Sequence, residues 1–174
     1  PGEMGELHTK TIYDTATLAG KLGVKKLVMM SGLPAGALGD KTPNWFTSTV
    51  SWPDYMVESV RYQWEDVAIP WWKAFVAYCK KNGVEQIAIE EFPCQLVHNP
   101  ETLWKLRNAV DPMIGMNMDP SHLMVMGADP IVGLRNLEGA IYHIHGKDAR
   151  IERGLCDING LTETKPVTDS KNRT

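Results

Sequence analysis

Apolar residues along the chain recur first at helical spacing and then in short continuous runs, and these two patterns alternate. Residues 9–22 carry apolar side chains on one helical face, and Gly23 ends that predicted helix. The apolar run at residues 24–30 then predicts a buried strand. The alternation continues, with further helices predicted at residues 55–81, 99–110 and 129–137 and further strands at 86–90, 114–118 and 140–145.

Turn-forming residues separate these elements. Residues 33–53 are rich in Gly, Pro, Ser and Thr and predict a loop long enough to be functional. The second helix is expected to break near Pro70. Asn99 followed by Pro100 is a typical helix start, with an N-cap and a first-turn proline. The chain after Ile151 is polar and turn-rich and is expected to be irregular.

Four strands separated by helices predict parallel β-α-β units in an α/β domain. Consecutive apolar positions, such as residues 87–89, suit a sheet that is covered on both faces. No glycine-rich phosphate loop follows a predicted strand, which argues against a nucleotide-binding sheet. We assign the domain to residues 1–160 and a polar, irregular tail to residues 161–174.

The composition disfavours several classes of function. The 174 residues include 18 Lys and Arg against 21 Asp and Glu, and this net charge of −3 gives no reason to bind nucleic acid or an anionic membrane. Apolar runs are too short to span a bilayer, and no signal-peptide pattern opens the chain. The three cysteines form no C-x-x-C pair and fit a reducing cytoplasm. Because the first residue is Pro1 and not Met, we expect further sequence upstream.

Side chains that bind metals or titrate follow three of the four predicted strands. The second strand ends in Glu90 and Glu91, the third in D-P-S-H (119–122) and the fourth in H-I-H-G-K-D (143–148). The C-terminal ends of parallel barrel strands converge on one mouth, so we expect these groups to lie together. Carboxylates and imidazoles in one place predict a divalent metal site that suits Mn, Mg, Co or Zn rather than a thiolate-bound metal.

Each of these residues also has an ordinary structural interpretation. A Glu at a strand end is often a solvated loop residue, Asp-Pro commonly opens a turn, and His122 can simply cap the next segment. His143 and His145 share one face of their strand, so one can be a core histidine and the other a ligand. Lys147 and Asp148 can form a surface ion pair. The functional interpretation is favoured because three such coincidences would have to fall at successive strand ends.

Five of the tryptophans divide into two groups. Trp64, Trp71 and Trp72 lie in the predicted second helix and are expected in the core. Trp45 and Trp52 lie in the long loop, where their apolar ring faces can either line a sugar-binding site or simply pack.

Five stretches of the sequence resemble the xylose isomerase-like TIM-barrel superfamily of sugar phosphate isomerases and epimerases. They are LGVKKLVMMSG (22–32), IAIEEFP (87–93), NPETLWKLR (99–107), GMNMDPSHLMVMGADP (115–130) and IYHIHGKDARI (141–151). Their order and spacing match across residues 10–160, and D-P-S-H-L followed by H-I-H-G-K-D is the specific part. The resemblance implies an incomplete TIM (β/α) barrel with about four parallel strands and covering helices.

The resemblance also implies roles for individual residues. Such enzymes hold a divalent metal with a Glu, an Asp, a His and a second Glu. Glu90, Asp119 and His145 match the first three of these ligands. His122 matches a residue that contacts substrate, and Lys147 is expected to contact substrate or brace the site. Together with Glu90 as ligand and base, His122 and Lys147 form the predicted catalytic set.

The resemblance covers half of a family barrel. Family barrels have eight strands, and the four predicted here resemble the fourth to seventh. The last strand of such a barrel supplies the second Glu, and nothing in this sequence matches it. Four strands leave two open sheet edges, so a homo-oligomer or a complementing fragment is expected as partner. Phe92 stands where relatives often carry His or Cys, which alters the expected wall of the substrate pocket.

The implied function is a divalent-metal-dependent isomerase or epimerase that acts on a small-molecule sugar or sugar phosphate through an enediolate. Little turnover is expected from this chain alone, because the second Glu is missing. A metal-dependent keto-inositol dehydratase on the same scaffold and a non-catalytic truncated barrel are the alternatives. An abasic-site endonuclease is disfavoured, because it needs a multi-zinc cluster and this acidic chain has five histidines.

Overall fold

The sheet contains four parallel strands in the order in which they occur along the chain. The computed structural model describes residues 2–48, 54–162 and 168. In this part of the chain the strands are β1 (Lys26–Met30), β2 (Gln86–Glu90), β3 (Ile114–Met118) and β4 (Ile141–Ile144), paired in the order β1-β2-β3-β4. Helices connect the strands, as crossovers between parallel neighbours require. The predicted α/β architecture of an incomplete barrel is confirmed.

The register of the strands brings their C-terminal ends side by side. Met30 pairs with Glu90, Glu90 pairs with Asn117, and Asn117 pairs with His143. A register shift between Met116 and Asn117 interrupts the β3–β4 pairing just before this point. The groups that follow β2, β3 and β4 therefore leave the sheet at the same edge.

The first helices differ from the sequence prediction in length and type. Helix α1 spans Gly2–Lys21 and so begins before residue 9, where the apolar periodicity starts. Helix α2 (Asp54–Arg61), a π-helical segment (Tyr62–Ala68) and helix α3 (Ile69–Lys81) follow one another without a gap. Pro70 therefore does not break the helix. It has no N–H for the i−4 bond, and the hydrogen bonding changes register just before it, where the Ile69 N–H bonds to the Trp64 carbonyl.

The later helices include two that the sequence analysis did not predict. Helix α4 (Pro100–Ala109) begins with a capping box in which Asn99 accepts from the Thr102 N–H at 2.9 Å, as the N-cap prediction requires. Helix α5 (Pro120–Val125) follows β3 directly, and α6 (Pro130–Asn136) lies where a helix was predicted. Helix α7 (Arg153–Asn159) corrects the expectation that the chain after Ile151 is irregular. This helix includes Leu155, Cys156 and Ile158 beside polar residues, and none of its residues is buried.

The hydrophobic core lies between the sheet and the helices. It includes the apolar positions of the strands together with residues of α1, α3 and α4, among them Ala16, Trp72, Phe75, Ile87, Ile89, Leu103, Leu106, Ile114, Met116 and Met118. Trp64 and Trp72 are buried and Trp71 packs against the core at its edge, as the sequence analysis expected. Burying such large side chains contributes roughly 1.5–3 kcal/mol each to stability.

The two edge strands keep apolar side chains exposed. Val28 and Met30 of β1 are 43% and 40% exposed, and Ile144 of β4 is 56% exposed. Within the described residues, β1 and β4 each pair with a strand on one side only. The Lys26 side chain of β1 donates to the Tyr142 carbonyl of β4 at 2.5 Å, so the sheet curves enough to bring its edges within reach of one side chain. None of the described helices is long and apolar enough to cross a membrane.

Candidate functional site

Three neighbouring strands deliver the predicted site residues to one place. Glu90 is the last residue of β2, Asp119 directly follows β3, and His145 directly follows β4. Asp119 is also the N-cap of α5, because its Oδ1 accepts from the Ser121 N–H at 3.0 Å. That short helix then turns His122 back towards β2. The strand order and one helix cap are therefore enough to assemble the group.

Glu90, Asp119 and His122 form the tightest cluster. His122 Nε2 lies 3.2 Å from Glu90 Oε1 and 3.3 Å from Asp119 Oδ2. The three potential ligand atoms all lie within 4.8 Å of one another. Phe92, where the resemblance led us to expect His or Cys, packs edge-on against His122 with ring centroids 4.3 Å apart. It covers one side of the imidazole and limits the access of water to that side.

His145 lies at the edge of this cluster. Its Nδ1 is 3.4 Å from Glu90 Oε2, and its side chain is 40% exposed. The side-chain amide of buried Asn117 lies 3.2 Å from the same ring nitrogen. His143 packs edge-on against His145 at 5.5 Å between centroids. Of the two histidines on this strand face, His145 is thus the one that reaches Glu90.

Lys147 reaches into the cluster from the loop after β4. Its Nζ lies 2.6 Å from Asp119 Oδ2 and 3.1 Å from His122 Nε2. The expected alternative, a surface ion pair between Lys147 and Asp148, is not what the structure shows: the Asp148 side chain accepts from the Ala149 N–H instead.

Asp119 is completely buried and remains ionised in this environment. Burial by itself would raise the pKa of Asp119, but the Lys147 ammonium, the Ser121 hydroxyl and the neighbouring His122 together bring that pKa below its usual value. Its Oδ1 is fully used, since it accepts from both the N–H and the hydroxyl of Ser121. Its Oδ2 lies 2.6 Å from the Lys147 ammonium and therefore has a charge partner.

Glu91 is a functional candidate that the sequence analysis did not select. It is completely buried, and its Oε1 accepts from the Asp119 N–H at 2.9 Å, which fixes the start of α5. Burial, followed by smaller effects of Asp119 and Glu90, raises the pKa of Glu91 to about 8. Side chains of successive residues in an extended chain point to opposite sides, so Glu91 must point away from the mouth of the sheet if Glu90 points into it. This alternation is the sequence signal that could have identified Glu91 as a buried residue.

The cluster fits a divalent cation on the geometry of its own atoms. Oxygen and nitrogen ligands about 2.1 Å from a metal lie roughly 3.0–3.4 Å from one another in tetrahedral or octahedral arrangements. The observed separations of 3.2 Å and 3.3 Å around His122 Nε2, and of 3.4 Å between His145 and Glu90, fall in this range. Two carboxylates and imidazoles suit Mn, Mg, Co or Zn. The predicted ligand set Glu90, Asp119 and His145 and the tightest set, which contains His122, thus overlap in the two carboxylates.

The two loop tryptophans, which could either line a sugar site or simply pack, do not join the metal cluster within the described residues. Trp45 contributes to a separate cavity of about 220 Å³, whose other walls include Phe46, Trp64 and His98, with ring centroids of Trp45 and His98 5.4 Å apart. No residue of the metal cluster lines that cavity. Trp52 falls outside the residues that the structure describes.

The family comparison agrees with the geometry. The family model described as xylose isomerase-like TIM barrel matches residues 2–162. This chain belongs to that family. The resemblance proposed from the sequence is therefore confirmed, and the four parallel strands are part of a xylose isomerase-like TIM barrel.

Two individual comparisons define how much of such a barrel the chain represents. It is 60% identical over 173 residues to the uncharacterized protein YfiH of Bacillus subtilis strain 168, covering 99% of this chain and 55% of that protein. It also resembles the crystal structure of the probable 3-DHS dehydratase AsbF from Bacillus anthracis, involved in petrobactin synthesis, with a TM-score of 0.56 and 18% identity. That match covers 83% of this chain and 45% of AsbF. The chain thus spans about half the length of these two proteins.

Proposed function

We propose that this chain carries the metal-binding part of a divalent-metal-dependent sugar isomerase or epimerase. The observation that carries the proposal is the cluster of Glu90, Asp119 and His122 at the mouth of the parallel sheet, with His145 and Lys147 in contact with it. Membership of the xylose isomerase-like family supports a sugar or sugar phosphate as the substrate class.

We assign the metal to Glu90, Asp119 and His145, and we leave the His122 imidazole outside the ligand set, so that its Nε2 stays available to substrate and to protons. The two carboxylates of the cluster and the 3.4 Å between His145 Nδ1 and Glu90 Oε2 support this assignment. A divalent ion bound there, Mn, Mg, Co or Zn, would supply a Lewis acid that stabilises the negative charge developing on a substrate carbonyl oxygen.

The side chains themselves handle the proton. In the proposed reaction Glu90 removes the proton bound to the carbon next to the carbonyl of an open-chain sugar, which gives an enediolate. His122, 3.2 Å from Glu90, orients a substrate hydroxyl and is placed to take the proton on from the carboxylate. Phe92 shields this pair from bulk water. Return of the proton to the same carbon from the other face gives an epimer, and return to the neighbouring carbon gives an isomer.

A second acid–base group has to come from outside the described sheet. The cluster uses β2, β3 and β4 only, and the exposed side chains of Val28, Met30 and Ile144 mark the edges at which further strands would pair. We therefore propose a partner that closes the barrel, either a second copy of this chain or a complementing fragment. YfiH, at nearly twice the length, has room for both halves in one chain.

A dehydratase is the second candidate, because the same two groups, Glu90 and His122, can perform a dehydration. Removal of a proton by Glu90 followed by loss of a β-hydroxyl requires an acid near the leaving oxygen, and His122 is placed for that role. The keto-inositol dehydratase and the probable 3-DHS dehydratase AsbF belong to this reaction class, and AsbF shares the fold. Products identified by NMR distinguish the two candidates, since only dehydration forms an enone. A non-catalytic module would bind the metal and give neither product.

Metal binding is tested first, by calorimetric titration of the chain with Mn²⁺. We expect Glu90→Gln, Asp119→Asn and His145→Ala each to weaken Mn²⁺ binding by about tenfold or more. Asp148→Asn is the matched control, because that carboxylate caps its own loop and does not touch the cluster. Affinities that stay at the wild-type value in all three site variants would contradict the assignment.

Turnover is tested separately, together with the assembly state. Native mass spectrometry and gel filtration report whether copies associate, and proton exchange of sugars in D₂O with Mn²⁺ reports enediolate formation. We expect negligible exchange from monomeric chain and exchange that appears with a closed barrel. Full activity from a monomer would contradict the need for a partner.

A cytoplasmic location is part of this proposal and is supported by the three cysteines, all of which are free thiols.

A further inference from the structure

The ammonium group of Lys147 lies within the candidate metal cluster. Its Nζ contacts Asp119 Oδ2 at 2.6 Å and His122 Nε2 at 3.1 Å. These two atoms lie 3.3 Å apart within the cluster. A divalent ion bound by Asp119 would therefore use the same carboxylate oxygen as the Lys147 ammonium and would lie beside the same imidazole.

The charges explain why a cation is needed at this point in the metal-free protein. Asp119 is completely buried, and Glu90 is 13% exposed and 3.2 Å from His122. A buried carboxylate without a positive partner is costly. Among the described residues, the ion-pair partners of Asp119 are Lys147 and His122, and the Lys147 contact is the shorter. Lys147 thus compensates the charge of the ligand group when no metal is bound.

The position of the Lys147 side chain allows it to move out of the cluster into solvent. It is 50% exposed, whereas the carboxylate that it contacts is fully buried, so its stem runs from solvent into the cluster. It extends from the loop after β4, where its own backbone N–H bonds to the His145 carbonyl. A lysine ammonium on a flexible four-carbon stem regains hydration readily when it swings outward. A divalent ion bonded to Asp119 Oδ2 would repel it at close range.

We propose that Lys147 is an internal counter-ion, which holds Asp119 and His122 in the metal-free protein and is displaced into solvent when a divalent ion binds. The inference rests on the proposed metal site and adds an exchange step to it. Metal affinity in the wild-type protein is then reduced by competition with the protein's own cation. Removing the ammonium should increase that affinity, whereas loss of an ordinary bracing residue should decrease it.

The first experiment compares Mn²⁺ titrations of the wild type, Lys147→Met and Lys73→Met. Lys73 is an exposed lysine of α3 and serves as the control for losing one positive charge. We expect Lys147→Met to bind Mn²⁺ about tenfold more tightly, with no more than a twofold change for Lys73→Met. We also expect the melting temperature of Lys147→Met in EDTA to fall and to recover with Mn²⁺. Equal or weaker Mn²⁺ binding by Lys147→Met would overturn the exchange.

The second experiment uses the wild-type protein and does not depend on the folding of a variant. Acetylation of each lysine is followed by peptide mass spectrometry, with EDTA or with saturating Mn²⁺. The exchange predicts that Lys147 reacts slowly in EDTA and at the rate of exposed lysines such as Lys73 with Mn²⁺. A Lys147 rate that does not change with bound Mn²⁺ would overturn it. Absence of Mn²⁺ binding in every protein would instead refute the metal site, and the exchange together with it.

Discussion

Replacing Gly115 with alanine should damage the sheet at the point where it carries the candidate site. Gly115 lies in β3, and an added Cβ would stand 2.6 Å from the Ala140 carbonyl oxygen and 2.6 Å from Tyr142 Cε2. Ordinary contacts between carbon atoms are about 3.5–4.0 Å. Tyr142 cannot swing aside freely, because its hydroxyl donates to the Pro112 carbonyl at 2.6 Å and accepts from Arg107 at 2.9 Å.

The magnitude follows from what has to move. Overpacking a tight site costs about 1–3 kcal/mol, and the upper part of that range applies because one obstacle is backbone. The Ala140 carbonyl accepts from the Met116 N–H at 2.7 Å, so relief of the clash stretches the β3–β4 pairing. His145 is held to the same pairing through its own N–H, which donates to the Met118 carbonyl at 3.0 Å. We therefore expect weaker Mn²⁺ binding as well as lower stability.

Urea unfolding and Mn²⁺ calorimetry measure these two effects. The matched control is Gly5→Ala, since Gly5 lies in α1 with no atom within 4 Å of an added Cβ. Alanine is the better helix former, so the control should be neutral or stabilising by up to about 1 kcal/mol. A Gly115→Ala protein whose free energy of unfolding stays within about 0.5 kcal/mol of wild type would refute this account of the β3–β4 packing.

Three further predictions concern single side chains. In EDTA, the free energy of unfolding should decrease as the pH rises from about 4.5 towards about 8, because the raised pKa of Glu91 leaves the folded protein with a proton that the unfolded chain has lost. Glu91→Gln should flatten this pH dependence in urea unfolding. An unchanged slope in the variant would contradict the role given to Glu91. Asn99→Ala should cost about 1 kcal/mol in thermal unfolding through loss of the α4 cap, whereas no change would show the cap to be dispensable. The Lys80 hydrogen bond lowers the pKa of Asp111, so its stabilising effect is present above the unfolded pKa and is lost at acid pH; Asp111→Asn should make acid unfolding less steep, and an identical acid transition would contradict this.

The strands were predictable because burial on both faces leaves a continuous apolar run in the sequence. The predicted strands at residues 86–90 and 114–118 coincide with β2 and β3. Helix α5 was missed because Asp119-Pro120-Ser121 also fits a turn: the bond from Ser121 N–H to the Asp119 side chain occurs in both, and only the continuation of the helix to Val125 distinguishes them. The π-helical segment before Pro70 replaced a predicted break, since tertiary packing of Trp64 and Trp72 holds both sides together.

For the candidate site, position was more predictable than role. Strand order alone places Glu90, Asp119 and His145 at one edge, and the structure brings His145 to within 3.4 Å of Glu90. The close contacts of His122 depend on the turn of α5, which is a feature of three-dimensional structure. The burial of Glu91 behind the mouth is likewise a consequence of packing. The contacts of His122 could not be read from the spacing of residues along the chain, whereas the direction of Glu91 follows from the alternation of side chains along an extended strand.

The use of three adjacent strands makes metal binding and turnover separable properties of this chain. Neighbouring strands lie about 4.8 Å apart, so side chains from β2, β3 and β4 can meet at one ion without any strand from the opposite wall of a barrel. Catalysis of proton return at the far face of a sugar requires a group on that opposite wall. The ligand set Glu90, Asp119 and His145 should therefore bind Mn²⁺ whether or not the barrel is closed, and turnover should follow closure. A chain that bound Mn²⁺ only when associated with a partner would show that the opposite wall supplies an indispensable ligand. Metal binding and turnover would then both depend on closure of the barrel.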